Sequence, residues 1–186
     1  MQIEPTALPD VVILTPQRFG DARGWFTETW NAERLRAAGH DLAFVQDNHS
    51  FSAQKGTLRG LHYQSPPRAQ DKLVRCSRGA ILDVAVDARR GSPAYGHWVA
   101  VELTAENGRQ LLVPKGFLHG FVTLTPDCEV QYKCTDVYSP AHDGAVRWDS
   151  VGIDWGLSGD PVLSAKDIAA PAFADWQSPF TYGETA

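Results

Sequence analysis

Short strand-like segments separated by turn residues recur through the middle of the chain, and this spacing limits the folds that the chain can adopt. Segments with the composition or the alternation of a β-strand occupy residues 73–76, 81–86, 97–103, 110–113, 117–124 and 130–135. Turn-forming glycine, proline and asparagine stand between them. Strands at intervals of about ten residues are typical of a β-sandwich or a β-barrel. The sequence therefore predicts an all-β protein.

Length and composition agree with a single domain of this class. The chain has 186 residues, of which 16 are glycine and 12 are proline, so turns are plentiful. A chain of this length buries a sufficient core without disulfides or metals. We expect one domain over residues 1–186, with one helix at residues 31–39 and a second at residues 165–170. Asn31 suits the N-terminus of the first helix and Gly39 its C-terminus.

The charge balance excludes partners that need a broad basic surface. Lysine and arginine number 17, aspartate and glutamate number 22, and the net charge is −5. We therefore expect no nucleic-acid partner and no membrane partner. No apolar run approaches the length of about 18 residues that a membrane span needs. An anionic ligand has to be held by a few local arginine and lysine side chains.

The cysteines indicate a cytoplasmic location. Cys76, Cys128 and Cys134 are odd in number and form no C-x-x-C pair. We expect reduced, partly buried thiols, as in proteins of a reducing compartment. The N-terminal residues lack the basic and apolar segments of a secretory signal.

Two titratable rings are predicted to face the protein interior. Tyr132 shares one face of its strand with Val130 and Cys134, and His119 shares a face with two phenylalanines. Intermediate burial is common for tyrosine and histidine, so each ring is either a hydrogen-bonded core residue or part of a site. Strand spacing alone favours the first interpretation.

Histidines in a strand-rich chain raise the question of a metal. The run PKGFLH, which ends at His119, is similar to the second metal motif of cupins. The first cupin motif needs His-x-His followed by an acid, where this chain has His62, Tyr63 and Gln64 and then Lys72. A lysine ammonium beside a divalent cation is electrostatically unfavourable, and such sites need at least three protein ligands. We therefore expect no metal.

Eight short motifs in a fixed order carry a more specific resemblance. They are FGDARG at residues 19–24 with Glu28, QDNHS at 46–50, LRGLH at 58–62, DKLVR at 71–75, VAVD at 84–87, PKGFLHGF at 114–121, QYK at 131–133 and LSAKD at 163–167. With these motifs the sequence closely resembles the dTDP-4-dehydrorhamnose 3,5-epimerases over residues 11–171. The resemblance implies a cupin-type jelly roll, mostly antiparallel, with short helices near both ends. It also implies a homodimer with exchanged N-terminal strands.

The reaction that the resemblance implies inverts C3 and C5 of dTDP-4-dehydro-6-deoxy-D-glucose, through enolates, to give dTDP-4-dehydro-L-rhamnose. Both carbons flank the C4 ketone, so the chemistry needs a base on one face, an acid on the other and a cation near the ketone oxygen. It needs no cofactor. A relative that inverts only C3 or only C5, as in antibiotic-sugar pathways, uses the same base and acid. A metal-dependent cupin and a non-catalytic jelly roll that binds sugar nucleotides are further alternatives.

The resemblance assigns four catalytic residues. His62 matches the base, and a histidine can take a proton near neutral pH. Asp167 matches the carboxylate that pairs with it, Lys72 the cation that faces the ketone oxygen, and Tyr132 the general acid. Asp167 also lies in a pattern that resembles a capping box, SAKD. Because one residue cannot easily serve both bonds, we expect Asp167 to serve the dyad.

Ten further side chains are implied to bind the nucleotide sugar: Arg23, Glu28, Gln46, Asp47, Asn48, Arg59, His119, Tyr138, Asp143 and Lys166. The two arginines and the lysine suit the diphosphate or the sugar, since a guanidinium makes paired bonds to phosphate. The polar side chains of residues 28 and 46–48 suit a thymine edge, and Tyr138 suits stacking. Asp143 stands where many relatives carry the longer glutamate.

Overall fold

Strands are the dominant secondary structure of the molecule. The computed structural model describes residues 1–183. The strands are β1 (Gln2–Pro5), β2 (Val12–Thr15), β3 (Arg18–Asp21), β4 (Gly24–Thr27), β5 (Gln46–Ser52), β6 (Leu58–Gln64), β7 (Lys72–Arg78), β8 (Ala80–Asp87), β9 (Trp98–Thr104), β10 (Gln110–Val113), β11 (Phe117–Thr123), β12 (Cys128–Cys134) and β13 (Asp143–Ala145). This confirms the all-β prediction.

The strands form two antiparallel sheets and one separate hairpin. The first sheet has six strands in the order β1-β2-β10-β7-β12-β5, and the second has five in the order β13-β6-β11-β8-β9. Strands β3 and β4 pair only with each other. Every pairing between these strands is antiparallel, and neighbours in space are mostly distant in sequence.

The main core lies between the two sheets. Alternate residues of β7 and β12, such as Val74 and Val130, meet alternate residues of β8 and β11, such as Ile81 and Phe121. Because side chains alternate between the two faces of a strand, each sheet contributes one apolar face to this layer. Tyr132 packs against the same core, which confirms its predicted inward orientation.

The outer face of the five-stranded sheet is covered by the C-terminal part of the chain. Val84 and Val86 of β8 pack there against Trp155 and Phe180. Apart from Asp83 and Asp87, strand β8 is therefore apolar on both faces, as expected for a strand covered on both sides. The second helix belongs to the same C-terminal part of the chain and contacts β6.

The described residues also form two short helices. Helix α1 (Ala32–Ala37) begins after Asn31, whose side-chain oxygen accepts hydrogen bonds from the backbone N–H groups of Glu33 and Arg34. It ends before Gly39, which has a φ of 91°, as predicted for a C-terminal glycine. Helix α2 (Ala165–Ile168) is shorter than predicted.

The three cysteines lie in the interior of the molecule. Cys76, Cys128 and Cys134 are free thiols, and all three are more deeply buried than predicted. Among residues 1–183, no helix has the length and apolar character needed to cross a bilayer.

Candidate active site

A cavity of about 400 Å³ lies between the two sheets. It is lined by Ser50, Thr57, Leu58, Arg59, His62, Lys72, His119, Phe121, Tyr132, Val162, Leu163, Ser164 and Asp167. All four predicted catalytic residues are among them, together with Arg59 and His119. The fold therefore brings six of the predicted residues into one cavity.

His62 and Asp167 form a hydrogen-bonded pair at this cavity. His62 Nε2 lies 2.5 Å from Asp167 Oδ1, although the two residues are 105 positions apart in the chain. The His62 side chain is 30 % exposed, whereas that of Asp167 is 2 % exposed. A carboxylate that accepts from Nε2–H leaves the Nδ1 lone pair of the histidine free to take a proton.

Asp167 serves the helix cap and the dyad at once, so the expectation that these bonds compete is wrong. Ser164 Oγ donates to Asp167 Oδ2 over 2.7 Å and accepts from the Asp167 backbone N–H over 3.2 Å. The other carboxylate oxygen remains for His62. Burial opposes ionisation of Asp167, but the hydrogen bonds from His62 and Ser164 outweigh it, and the pKa of this carboxyl is lowered from its usual value.

Tyr132 and Lys72 stand on the wall opposite His62. Tyr132 belongs to β12 and Lys72 to β7, both in the six-stranded sheet, whereas His62 belongs to the five-stranded sheet. A substrate between the sheets thus meets a histidine–carboxylate pair on one side and a phenol on the other.

Burial shifts the pKa values of the two opposite-wall groups in opposite directions. It raises the pKa of the Tyr132 phenol above 10.0, with only partial opposition from the charge of Arg59. It lowers the pKa of the Lys72 ammonium below 10.5, and the negative charges of Asp143 and Asp83 offset part of this effect. Lys72 forms no ion pair with any residue that the structure describes. Its charge is left to act on whatever occupies the cavity.

His119 is both hydrogen-bonded in the interior and part of the cavity wall. Its Nε2 lies 2.8 Å from Asp83 Oδ1, and both residues are buried. It is also the direct cross-strand neighbour of His62. His119 is therefore both a hydrogen-bonded core residue and a residue of the cavity wall, the two interpretations that the sequence left open.

Arg59 is held at the edge of the cavity by β5. Its guanidinium donates to Phe51 O over 3.1 Å and to Ser52 Oγ over 3.3 Å. These bonds hold the guanidinium in place, and Arg59 also lines the cavity.

Five predicted binding residues form a hydrogen-bonded network outside the cavity lining: Gln46, Asn48, Tyr138, Asp143 and Lys166. Both the Tyr138 hydroxyl, over 3.2 Å, and the Lys166 ammonium, over 2.5 Å, donate to Asp143 Oδ2. Gln46 accepts from the Tyr138 backbone N–H and donates to Asn48. Because Lys166 precedes Asp167 on α2, this network lies next to the His62–Asp167 pair.

The remaining three predicted residues lie away from the cavity of their own chain. Arg23 is largely exposed on the β3–β4 hairpin and pairs with Asp21. Glu28 bonds to Asn31 near the start of α1. Asp47 is exposed on the outer face of β5, paired with Lys133 over 2.7 Å.

Several lining residues were not predicted: Ser50, Thr57, Leu58, Phe121, Val162, Leu163 and Ser164. Ser50 is notable because its hydroxyl is buried without a hydrogen-bond partner among the described residues. Ser50 lies two and four residues after the predicted residues Asn48 and Gln46, on the same inward face of β5.

The geometry fits acid–base chemistry. Among residues 1–183, no group of three or more His, Cys, Asp or Glu side chains is arranged to hold a metal ion. The cavity instead combines a histidine–carboxylate pair, a phenol on the opposite wall and a lysine ammonium. The fold and this site define a β-sandwich isomerase of the cupin type.

The comparisons with known proteins give the family. The family model described as dTDP-4-dehydrorhamnose 3,5-epimerase matches residues 5–175, and the chain belongs to this family. The dTDP-4-dehydrorhamnose 3,5-epimerase of Salmonella typhimurium is 52% identical over 174 residues, which cover 92% of this chain and 94% of the relative.

Solved structures agree with this assignment. The dTDP-6-deoxy-D-glucose-3,5-epimerase of Legionella pneumophila, crystallised with dTDP-4-keto-L-rhamnose, aligns with a TM-score of 0.94 at 42% identity and covers 99% of both chains. A 3'-monoepimerase from Streptomyces bikiniensis, in complex with dTDP-quinovose, aligns with a TM-score of 0.87 at 36% identity, covering 92% of this chain and 87% of that one. These neighbours confirm the cupin-type fold.

Proposed function

We propose that the protein inverts both C3 and C5 of dTDP-4-dehydro-6-deoxy-D-glucose and releases dTDP-4-dehydro-L-rhamnose. The observation that carries the proposal is the placement of the His62–Asp167 pair and of Tyr132 on opposite walls of one cavity. Inversion at carbon requires a proton to leave one face and another to arrive on the opposite face. The names of the relatives support this substrate.

Each inversion uses the same three groups. His62, held through Nε2–H by Asp167, takes the carbon proton on its free nitrogen and becomes an imidazolium that the carboxylate stabilises. The electron pair moves onto the C4 oxygen, where the unpaired ammonium of Lys72 stabilises the enolate. Tyr132, kept protonated by its raised pKa, then gives a proton to the carbon from the opposite face. Exchange with water removes the proton from His62 and returns one to Tyr132 before the second inversion.

The proposal includes a homodimer that completes the nucleotide site. Arg23 and Glu28 lie outside their own cavity, next to a hairpin that exposes Phe19, Trp25 and Phe26. Exposed aromatic residues clustered on one element are typical of a contact surface. An exchanged hairpin would bring Arg23 to the diphosphate in the partner's cavity, where Arg59 and Lys166 supply the other cations. We further propose one domain over residues 1–186 and a cytoplasmic location.

Isotope exchange tests the reaction directly. In deuterated water the wild type is expected to exchange the C3 and C5 protons of dTDP-4-dehydro-6-deoxy-D-glucose and to invert both centres, as followed by NMR. His62→Ala should abolish exchange at both carbons. His49→Ala, which removes an exposed histidine from the outer face of β5, is the matched control and should exchange normally.

Contrary outcomes separate the alternatives. Binding of the substrate without any exchange would favour a non-catalytic jelly roll. Activity that is lost on chelation and restored by a stoichiometric metal would favour a metal-dependent cupin.

A second variant tests the opposite wall. Tyr132→Phe removes the proton donor but leaves the base, so exchange should continue in part while inversion at one or both centres is lost. Measurement of deuterium content and configuration at each carbon separates the two processes. Normal inversion of both centres by Tyr132→Phe would exclude Tyr132 as the acid.

The alternative is a single epimerase. It is favoured by one observation, the fold match to a 3'-monoepimerase. The isotope experiment on the wild type distinguishes the two, because a monoepimerase inverts one centre only.

A further inference from the structure

A charged side chain stands in the apolar core directly behind the cavity. Asp83 of β8 has no solvent exposure and faces the interior between Ile81 and Ala85. Its cross-strand neighbours on β11 and β9 are Phe121 and Val101. Burial of a carboxylate among apolar side chains destabilises a fold unless hydrogen bonds compensate.

Only half of that carboxylate is compensated. Oδ1 lies 2.8 Å from His119 Nε2, but Oδ2 is buried without a hydrogen-bond partner among the described residues. Buried polar atoms without partners are rare in folded proteins, and each calls for a reason. The fold gains little from this arrangement, whereas the hydrogen-bond partner of Asp83 lines the cavity.

The one hydrogen bond that Asp83 makes selects a tautomer of His119, a residue that lines the cavity. A carboxylate can only accept, so the hydrogen lies on His119 Nε2 and the lone pair lies on Nδ1. His119 lines the cavity beside His62 and is itself only 8 % exposed at its side chain. Without Asp83 either ring nitrogen could carry the hydrogen.

We propose that Asp83 is a positioning residue that presents His119 to the substrate as a hydrogen-bond acceptor. Nδ1 then accepts from a hydroxyl of the bound sugar and has no hydrogen to offer the ketone oxygen. The ketone oxygen is left to Lys72. The second histidine–carboxylate pair thus orients the sugar, whereas the first moves the proton; the assignment of the sugar rests on the proposed function.

The tautomer can be measured without substrate. In the wild type, the ¹⁵N shifts of His119, identified by comparison with His119→Asn, should report a hydrogen on Nε2. Asp83→Asn keeps the shape but can also donate through its amide, so a fraction of His119 should shift its hydrogen to Nδ1. Asp87→Asn is the matched control, because Asp87 is equally buried on β8 but bonds to Arg89 and Ser92 and should leave the His119 signals unchanged.

Kinetics and stability test the consequence. For Asp83→Asn we expect kcat/KM to fall about 10- to 100-fold, the range typical of partners that orient a site histidine. The melting temperature should stay at or above that of the wild type, because the variant no longer buries a charge. His119→Asn, which keeps an acceptor near the Nδ1 position, should retain more activity than His119→Leu.

Three results would overturn the proposal. They are a wild-type His119 with its hydrogen on Nδ1, an unchanged rate in Asp83→Asn, and a rate loss explained by an equal loss of folded protein. An absence of epimerase activity in the wild type would refute the proposed function instead, and the NMR measurement would still test the role of Asp83.

Discussion

At the scale of the residue, the cavity depends on what burial does to ionisable groups. Burial disfavours a charge of either sign, so it raises the pKa of the Tyr132 phenol and lowers that of the Lys72 ammonium. The first shift keeps the proposed acid protonated. The second makes Lys72 a cation that loses its proton more easily than a free lysine, which limits the reaction at alkaline pH.

The pH profile should show this limit. As pH rises through the pKa of Lys72, at a value below 10.5, the ammonium becomes neutral and kcat/KM should fall, while Tyr132 remains protonated past 10.0.

Lys72→Gln should lower kcat by about 100- to 1000-fold, as for loss of an oxyanion-stabilising group. Its residual rate should lack the alkaline decrease, whereas the exposed control Lys55→Gln should keep the wild-type profile. An alkaline decrease that persists in Lys72→Gln would assign it to another group.

At the scale of the element, short and polar segments carry the site. Helix α2 has four residues and presents both Lys166 and Asp167. The sequence pattern does not predict strand β5, because the inward face of this strand, formed by Gln46, Asn48 and Ser50, is polar. A strand that faces a binding cavity lacks the alternation of apolar and polar residues by which a strand is recognised.

Ser164 should couple the stability of α2 to activity. Ser164→Ala removes the cap and one of the two hydrogen bonds that hold the Asp167 carboxylate. We expect a loss of about 1 kcal/mol in the free energy of unfolding, measured by chemical denaturation, together with a lower kcat. Ser158→Ala, at an exposed position nearby, should change neither. A stability loss with an unchanged kcat would limit Ser164 to capping.

At the scale of the whole molecule, the cavity of one chain lacks two of the residues proposed to bind the nucleotide, Arg23 and Glu28. Arg23 and Glu28 stand on or beside a hairpin that pairs with neither main sheet. The hairpin exposes three aromatic residues, Phe19, Trp25 and Phe26. A two-fold dimer with exchanged hairpins would complete both cavities at once, since each copy gives what it receives.

Subunit complementation tests the exchange. A heterodimer of Arg23→Ala and His62→Ala chains, purified by two different tags, should hold one complete cavity and recover about half of the wild-type rate per dimer at low substrate concentration. A heterodimer of His62→Ala and Lys72→Gln chains is the control and should recover none, because these two residues share one cavity. No recovery in the first pairing would place Arg23 in the cavity of its own chain, and an Arg23→Ala homodimer with the wild-type rate would place Arg23 outside any cavity.

Local patterns in the chain are enough to establish the class of fold and the family. The strand spacing, the capped helix that follows Asn31 and the inward orientation of Tyr132 all depend on neighbours within a few residues, and such signals survive in a linear sequence. The eight motifs led to the family in the same way.

Only the tertiary structure decided which groups meet. Antiparallel pairing between distant strands brings His62 beside His119, and the C-terminal segment carries Asp167 across 105 positions to within 2.5 Å of His62. It also decided that Asp167 bonds Ser164 and His62 with different oxygens, and that Asp83 lies behind His119. Such contacts follow from strand register and from the packing of distant segments, which no local pattern encodes.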